Sequence, residues 1–412
     1  MRLTLAHTVF GLLAATTALP AFAQELTFWS WRQEDKAVYE SLIKDFEAKN
    51  PGITVKFEAF EAANYNTILS TALAGEQGPD IMFVRAYGGF EAVGGAGYLM
   101  PLDDLPGLKD FPAGALAAET LRADGKVYAV PFASQTMLVV YNKDLFDQVG
   151  AGEPETMDEL LATAQKLKDA GLFAFANGSA TAWQNETIVS ALGSSIVGPE
   201  FFAEIQAGKE GVDFTDPRYV AGLDALKQYS AFFPDGFVGL DYPSAQQLMA
   251  SGMAAMYAGG SFEYANFKAQ NADLNLGFFA APGKTKEDVK LVGSYADGGY
   301  GGNAKTKHPE AVKSFLAFLA SKEFGQRFAD ELGNLSPVPG VEFTNPVLAE
   351  VAELNKNAVP YIMLTNFRYQ EPTGSVLLQA AVQKMLAGQA TPEEAAAEVT
   401  KGIATYYAPF QK

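Results

Sequence analysis

Between residues 26 and 84 the chain switches repeatedly between two hydrophobic periods. Leu26-Thr27-Phe28-Trp29 reads as a strand. Val38, Leu42 and Phe46 follow at helical spacing, with Tyr39 and Ile43 beside them, so one face of a helix is apolar. Asn50-Pro51-Gly52 stops that helix, and Ile53, Val55 and Phe57 alternate as a second strand. Another helix runs through Ile68, Leu69, Ala72 and Leu73. Ile81-Met82-Phe83-Val84 is then a short apolar strand behind Gly78-Pro79-Asp80. This strand–helix order predicts an α/β fold with a parallel sheet and helices on its faces.

At 412 residues the chain is too long for one ordinary core, so two domains are expected. Asp124-Gly125-Lys126 is a turn signal. Val127 to Phe132 and Met137 to Tyr141 read as two extended segments that carry the chain from one domain into the other. Thr156-Met157-Asp158-Glu159 fits a capping box opening a helix through Leu160, Leu161, Ala164 and Leu167. A strand at Leu172-Phe173-Ala174-Phe175 follows. Long amphipathic helices are expected around 218–233, 309–332 and 376–388, and Thr391-Pro392 starts a last one. The glycine-rich stretches at 88–97 and 298–302 lack a phosphate-loop lysine and a dinucleotide pattern, so they read as turns and close backbone approaches.

Several function classes lose their raw material. Residues 1–23 have the three parts of a secretory signal peptide: Arg2, an apolar run from Thr8 to Leu19, and Ala21-Phe22-Ala23 at the cut. An exported protein is expected, free in the periplasm and without a membrane anchor, since no cysteine is present to carry a lipid. The same cysteine count of 0 removes disulfides, thiolate metal sites and cysteine nucleophiles. Outside the leader only His308 remains, in a Lys-His-Pro-Glu turn, which leaves no serine–histidine catalysis and no multi-histidine metal site. A net charge of −18 argues against nucleic acid and anionic membrane as partners. No cofactor and no metal are expected.

In an open parallel sheet, ligands bind outside the carboxyl ends of the strands. Those ends here carry Trp31 and Arg32, then Arg85 and Tyr87, then Gln135, then Asn177 to Trp183. Later ones carry Phe262, Glu263 and Tyr264, then Asp297 and Tyr300. Aromatic faces mixed with amides, carboxylates and guanidiniums suit a sugar, whose C–H face stacks and whose hydroxyl rim hydrogen-bonds. Trp31, Trp183, Tyr264 and Tyr300 are the expected stacking residues, and Gln135, Glu263, Asp297 and Arg85 the hydroxyl partners. Two of the 3 tryptophans stand in Trp29-Ser30-Trp31-Arg32. Trp31 and Arg32, further out along the strand, are expected on the ligand and Trp29 beneath the cleft. The arginines have a second reading as partners of nearby acids or tryptophans.

The motifs Thr27-Phe28-Trp29-Ser30-Trp31, Phe46 to Val55, Gly78-Pro79-Asp80-Ile81, Gly97 to Asp104, Gly125 to Pro131, Val140 to Phe146 and Leu386 to Ala395 stand in an order that resembles the extracellular solute-binding proteins of carbohydrate ABC transporters, the maltose-binding-protein group. The resemblance implies a two-lobe periplasmic-binding-protein fold, each lobe a central sheet flanked by helices, joined by crossing hinge segments. It places lobe I at 24–132 plus 297–342 and lobe II at 133–296 plus 343–412. It implies a monomeric receptor that holds a mono- or oligosaccharide by hinge closure and hands it to a membrane permease, and no enzyme. By the same resemblance Gln135 takes the place of an acidic sugar ligand, and Arg85 and Tyr87 that of a polar loop. Phe262 and Tyr264 take the place of a tryptophan-rich loop, and Phe367-Arg368-Tyr369 that of a late aromatic pair. Arg32, Arg85 and Arg368 keep an anionic sugar or a sugar or glycerol phosphate open as the ligand. An exported glycosidase using two of Glu186, Glu263 and Asp297 is the other alternative.

Overall fold

The protein is described by a computed structural model over residues 24–33, 35–62 and 64–411; the leader read at 1–23 lies outside them. Strand β1 (Gln24–Ser30) turns Leu26, Phe28 and Ser30 inward and Thr27 and Trp29 to its other side, as alternation along a strand requires. The Phe28 ring is fully buried and meets Tyr39, Phe57, Phe83, Tyr300 and Phe315 at centroid distances of 5.2 to 5.9 Å. β1 pairs in parallel with β2 (Ile53–Ala59) and β3 (Ile81–Arg85). The helices Lys36–Lys49 and Tyr65–Ala74 connect them and bury Tyr39, Leu42, Ile43, Phe46, Leu69 and Leu73. Residues 24–85 therefore fold as their periodicity predicts.

Two long strands then serve both halves of the molecule. β4 (Ala129–Asn142) and β8 (Val292–Gly302) run antiparallel to each other. The two extended segments expected at 127–141 are thus one continuous strand. Its start packs Val130 and Phe132 into a core built from residues 26–133 and 300–338. Its end packs Met137 and Val139 into a second core, which includes Phe175, Leu192, Leu226 and Val382. Between them the pairing with β8 shifts register from Pro131 to Ser134, where the strand bends as it passes from one lobe to the other. A third strand of chain crosses at the same place, because Ser134 N–H donates to the Leu335 carbonyl at 2.9 Å.

The sheet order is β2-β1-β3-β8-β4-β6-β5, with β5 at Phe173–Phe175 and β6 at Ala254–Gly260; β7 (Leu276–Phe279) adds to β4 and β9 (Ala358–Pro360) to β8. The whole is a mixed α/β molecule of two lobes, each a portion of sheet flanked by helices. Among the described residues no single helix is long and apolar enough to cross a membrane.

Three local expectations are corrected. Gly298–Gly302 is not a turn but the inner end of β8, where neighbours occupy the space of missing side chains. A Cβ at Gly298 would lie 2.2 Å from the Val84 carbonyl oxygen. The stretch 309–332 is two helices, Pro309–Leu319 and Lys322–Leu332, because the Ser321 hydroxyl accepts the Phe324 N–H and starts the second. At Thr156 only half of the capping box forms: its hydroxyl accepts the Glu159 N–H, but the Glu159 carboxylate accepts from Glu155 instead.

Phe28 meets rings from five different elements of the first core. Phe28→Ala is expected to cost about 3–5 kcal/mol, the usual range for a large buried aromatic. Urea unfolding checks it, and a loss under about 1 kcal/mol would contradict this packing.

Candidate functional site

The register bend puts a carboxylate where the lobes meet. Asp297, on β8, accepts from the Gln135 side-chain amide of β4 at 3.2 Å. Arg32 and Arg85, from the ends of β1 and β3, approach the same carboxylate at 3.7 and 3.8 Å. Arg32 is itself fixed by an ion pair with buried Asp35. Gln135 is fully buried and uses its remaining groups on Asn334 at 3.2 Å and the Ser261 hydroxyl at 3.1 Å. One junction thus joins the ends of β1 and β3, the middles of β4 and β8, the start of the Glu263–Gln270 helix and the third crossing segment.

The second lobe supplies a face of a different kind. Trp183, in the first turn of the helix Ala182–Val197, is 37% exposed. Tyr242 meets its ring edge-on at 4.7 Å, and Phe262 lies 6.3 Å away. Phe262 follows Ser261 directly, which ties this aromatic face to the Gln135 junction. Glu186, one turn after Trp183, is buried and accepts from Ser375 at 3.1 Å and Gln379 at 2.8 Å. Burial raises the Glu186 carboxyl, while those two bonds and the nearby Arg368 charge oppose the rise.

The lobes also touch directly. A Cβ at Gly88 would fall 1.9 Å from the Arg368 carbonyl oxygen, so only glycine allows this approach. The Arg122 guanidinium stacks on the Tyr369 ring at 3.3 Å. Beside these contacts lies a cavity of about 540 Å³ lined from both lobes, with Tyr87, Arg122, Tyr295, Asn366 and Tyr369 among its walls. Tyr87 has φ +57°, a conformation costly for a residue with a side chain, and its hydroxyl accepts the Ala296 N–H at 3.1 Å. Arg85 and Arg368 face each other here. Burial lowers the Arg85 guanidinium, Arg368 adds to that, and Asp297 opposes it.

Arg32, Arg85, Gln135 and Asp297 form the junction, Tyr87 and Arg368 border it, and Trp183 and Phe262 belong to the adjoining face; Glu263, expected as a hydroxyl partner, is fully buried beneath that face and bonded by Tyr242 and Gln246. Two expected stacking residues are placed elsewhere. Tyr300 is fully buried among Phe28, Phe83, Phe132 and Phe324, and its hydroxyl bonds that of Tyr39 at 2.6 Å. Trp31 is only 5% exposed, enclosed by Tyr65, Phe83 and Phe132, with the Arg85 guanidinium 3.7 Å over its ring. The face expected to take a sugar is taken by an arginine, the second reading given to these side chains. Trp29, expected underneath, is the more exposed of the two and leans on Phe60. Tyr264 is partly buried against Phe278.

Sequence reasoning missed Tyr242, which stands at a helix start with no periodic signal, and Tyr295, which stacks on Tyr361 at 5.2 Å. It also missed Glu119. That carboxyl is fully buried and neither of its oxygens has a hydrogen-bond partner. Burial raises it far above the usual carboxylate range, and the Asp297 charge raises it further.

A family model described as bacterial extracellular solute-binding protein matches residues 29–326. Among curated relatives, a multiple sugar-binding protein of Streptococcus mutans is 25% identical, with 82% of this chain and 81% of that one covered. A mannitol-binding protein of Pseudomonas aeruginosa is 28% identical over 80% and 77%, and a maltodextrin-binding protein of Bacillus subtilis 27% over 84% and 80%. Among solved structures, a chitin oligosaccharide binding protein has a TM-score of 0.78 at 24% identity, covering 94% of this chain and 99% of that one. That two-lobe likeness extends over nearly the full length of both.

Two outcomes are expected from these placements. Trp31→Ala should cost about 3–5 kcal/mol of stability, as for other buried large aromatics, and more than Trp29→Ala; denaturant titration decides, and the reverse order would contradict the packing. Glu119 is held neutral in the fold, so its contribution to stability is greatest at low pH and is lost as pH rises through its raised pKa. Glu119→Gln should therefore gain in melting temperature over the wild type as pH rises from about 5 to about 9. A constant difference across that window would contradict a raised carboxyl.

Proposed function

Because the chain belongs to the family of bacterial extracellular solute-binding proteins, we propose that it is a carbohydrate receptor of an ABC transporter. It captures a sugar between its lobes by hinge closure and delivers it to a membrane permease. The observation that carries this reading is the exposed Trp183–Tyr242–Phe262 face set beside the Asp297 junction. A sugar needs both parts: an aromatic plane for its C–H face and charged or amide groups for its hydroxyl rim. The relatives named for sugars, mannitol and maltodextrins support the same ligand class.

Trp183 and Phe262 stack the ring in this reading. Asp297, Arg85, Arg368 and Tyr87 bond its hydroxyls, with Gln135, Arg32 and Trp31 holding Asp297 and Arg85 from behind. The lobes divide at the crossing strands, as 24–132 plus 297–342 and 133–296 plus 343–412. The protein acts in the periplasm after removal of residues 1–23, as a monomer.

The charge at the junction favours a neutral sugar over an anionic one. Arg32 is paired with Asp35 and approaches Asp297, and Arg85 stacks on Trp31 and approaches the same carboxylate, so these two charges are balanced within the protein. The same carboxyls speak against a glycosidase. Glu186 is tied to Ser375 and Gln379, Glu263 to Tyr242 and Gln246, and Asp297 to Gln135, which leaves no pair poised across one bond.

Calorimetry on refolded protein tests the proposal with neutral mono- to tetrasaccharides, sugar alcohols, uronates and sugar phosphates. Binding of a neutral carbohydrate is expected, weakened about tenfold or more by Trp183→Ala, the loss that one stacked contact of about 1.4 kcal/mol predicts. Binding confined to uronates or phosphates would overturn the neutral ligand. Silence across the panel would overturn the sugar.

A further inference from the structure

We propose that Glu263 is the positioning residue of the aromatic face: its carboxyl fixes Tyr242, Tyr242 fixes Trp183, and the proton on that carboxyl sets how firmly the face is held. The inference rests on the reading of Trp183 as a sugar-stacking residue only for its consequence, not for its geometry.

The geometry is a closed ring of contacts. The Trp183 ring is braced edge-on by Tyr242 at 4.7 Å and an interplanar angle of 70°. The Tyr242 hydroxyl donates to one Glu263 carboxyl oxygen at 3.1 Å, and the Gln246 amide donates to the same oxygen at 2.9 Å. Asn266 donates to the Tyr242 hydroxyl at 3.4 Å. Tyr257, on β6, lies against Glu263 and takes a bond from the Gln184 amide, one residue after Trp183. The ring thus closes on the helix where it began. Every neighbour of Trp183 in it is tied to one carboxyl.

That carboxyl is fully buried, and its second oxygen has no partner. The side-chain amide oxygen (Oε1) of Gln184 is in the same state. A buried acceptor without a donor is costly, and a proton on the carboxyl relieves the cost. The groups facing it are the phenols of Tyr242 and Tyr257 and the amides of Gln246, Gln184 and Asn266. Among its described electrostatic neighbours no positive charge offsets its own. Burial lifts the carboxyl to about 7 against the bonds from Gln246 and Tyr242. It also pushes the Tyr257 phenol well up, with Glu263 adding to the shift, so only the carboxyl titrates near neutrality.

The two protonation states hold Tyr242 differently. The anion accepts charge-assisted bonds from Tyr242 and Gln246, roughly twice as strong as neutral ones. The acid accepts weaker bonds and holds Tyr242 less firmly. Trp183 follows, because its bracing ring moves with that hydroxyl. A sugar stacked on Trp183 then binds more tightly above neutrality than below.

The test uses the full chain carrying 5-fluorotryptophan, read by fluorine NMR without any ligand. The three tryptophans give three resonances, and Trp183→Phe identifies the relevant one. The expected result is a Trp183 resonance that shifts with pH about a midpoint near neutrality, while those of Trp29 and Trp31 do not follow. The shift disappears in Glu263→Gln and in Tyr242→Phe, the second keeping the carboxyl in place should the first fail to fold. A Trp183 resonance that stays fixed in the wild type, or titrates unchanged in either variant, overturns the proposal. Sugar binding with a fixed resonance would refute this inference alone. A titrating resonance with no saccharide bound would refute the receptor reading alone.

Discussion

The molecule depends on the Asp297 carboxylate at the bend where β4 and β8 pass from one core to the other. Arg32 and Arg85 converge on it from the ends of β1 and β3, and Gln135 from the middle of β4. Each of those side chains is in turn fixed by a group behind it: Asp35 for Arg32, the Trp31 face for Arg85, Ser261 and Asn334 for Gln135. Isolated charges at such depth would be strongly disfavoured. Grouped and bonded, they form a polar junction between two apolar cores, and a binding cleft needs both.

The two lobes contribute unlike halves. The first offers guanidiniums and carboxylates already engaged with one another, rigid and charge-balanced. The second offers an aromatic face whose outermost ring, Trp183, is 37% exposed. Contacts such as Gly88 against Arg368 and Arg122 on Tyr369 bring the halves together without a disulfide. Because β4 and β8 are continuous through the junction, their bend is the natural place for one lobe to turn against the other.

Much of this was legible in the chain before folding. The period-2 and helical stripes of residues 26–84 define strands and helices that form where expected, since each apolar stripe has one way to be buried. The strand-end rule named Arg85, Gln135, Asp297, Trp183 and Phe262 as candidates; the structure gathers Arg85, Gln135 and Asp297 at one junction, the last two from inside β4 and β8 rather than from their ends. The rule's failures have physical causes. Tyr300 sits among glycines that resemble a turn, yet those glycines make room for Val84, Leu99 and Met100 inside a strand, which turns the tyrosine inward. Trp31 is capped by Arg85, a residue brought beside it only through β1–β3 pairing. Glu119 and Tyr242 acquire their roles wholly from tertiary neighbours, which no local pattern encodes.

The central claim is that the lobes close over a sugar at the Asp297 junction. The chain has 0 cysteines, so spin labels can be placed cleanly at Lys109→Cys and Lys166→Cys, both exposed and in opposite lobes. Pulsed electron resonance then reads the distance between lobes, with and without the saccharide that calorimetry finds to bind. The account predicts that saturating sugar collects the distances into one shorter, narrower population. An identical distribution with and without bound sugar would contradict it.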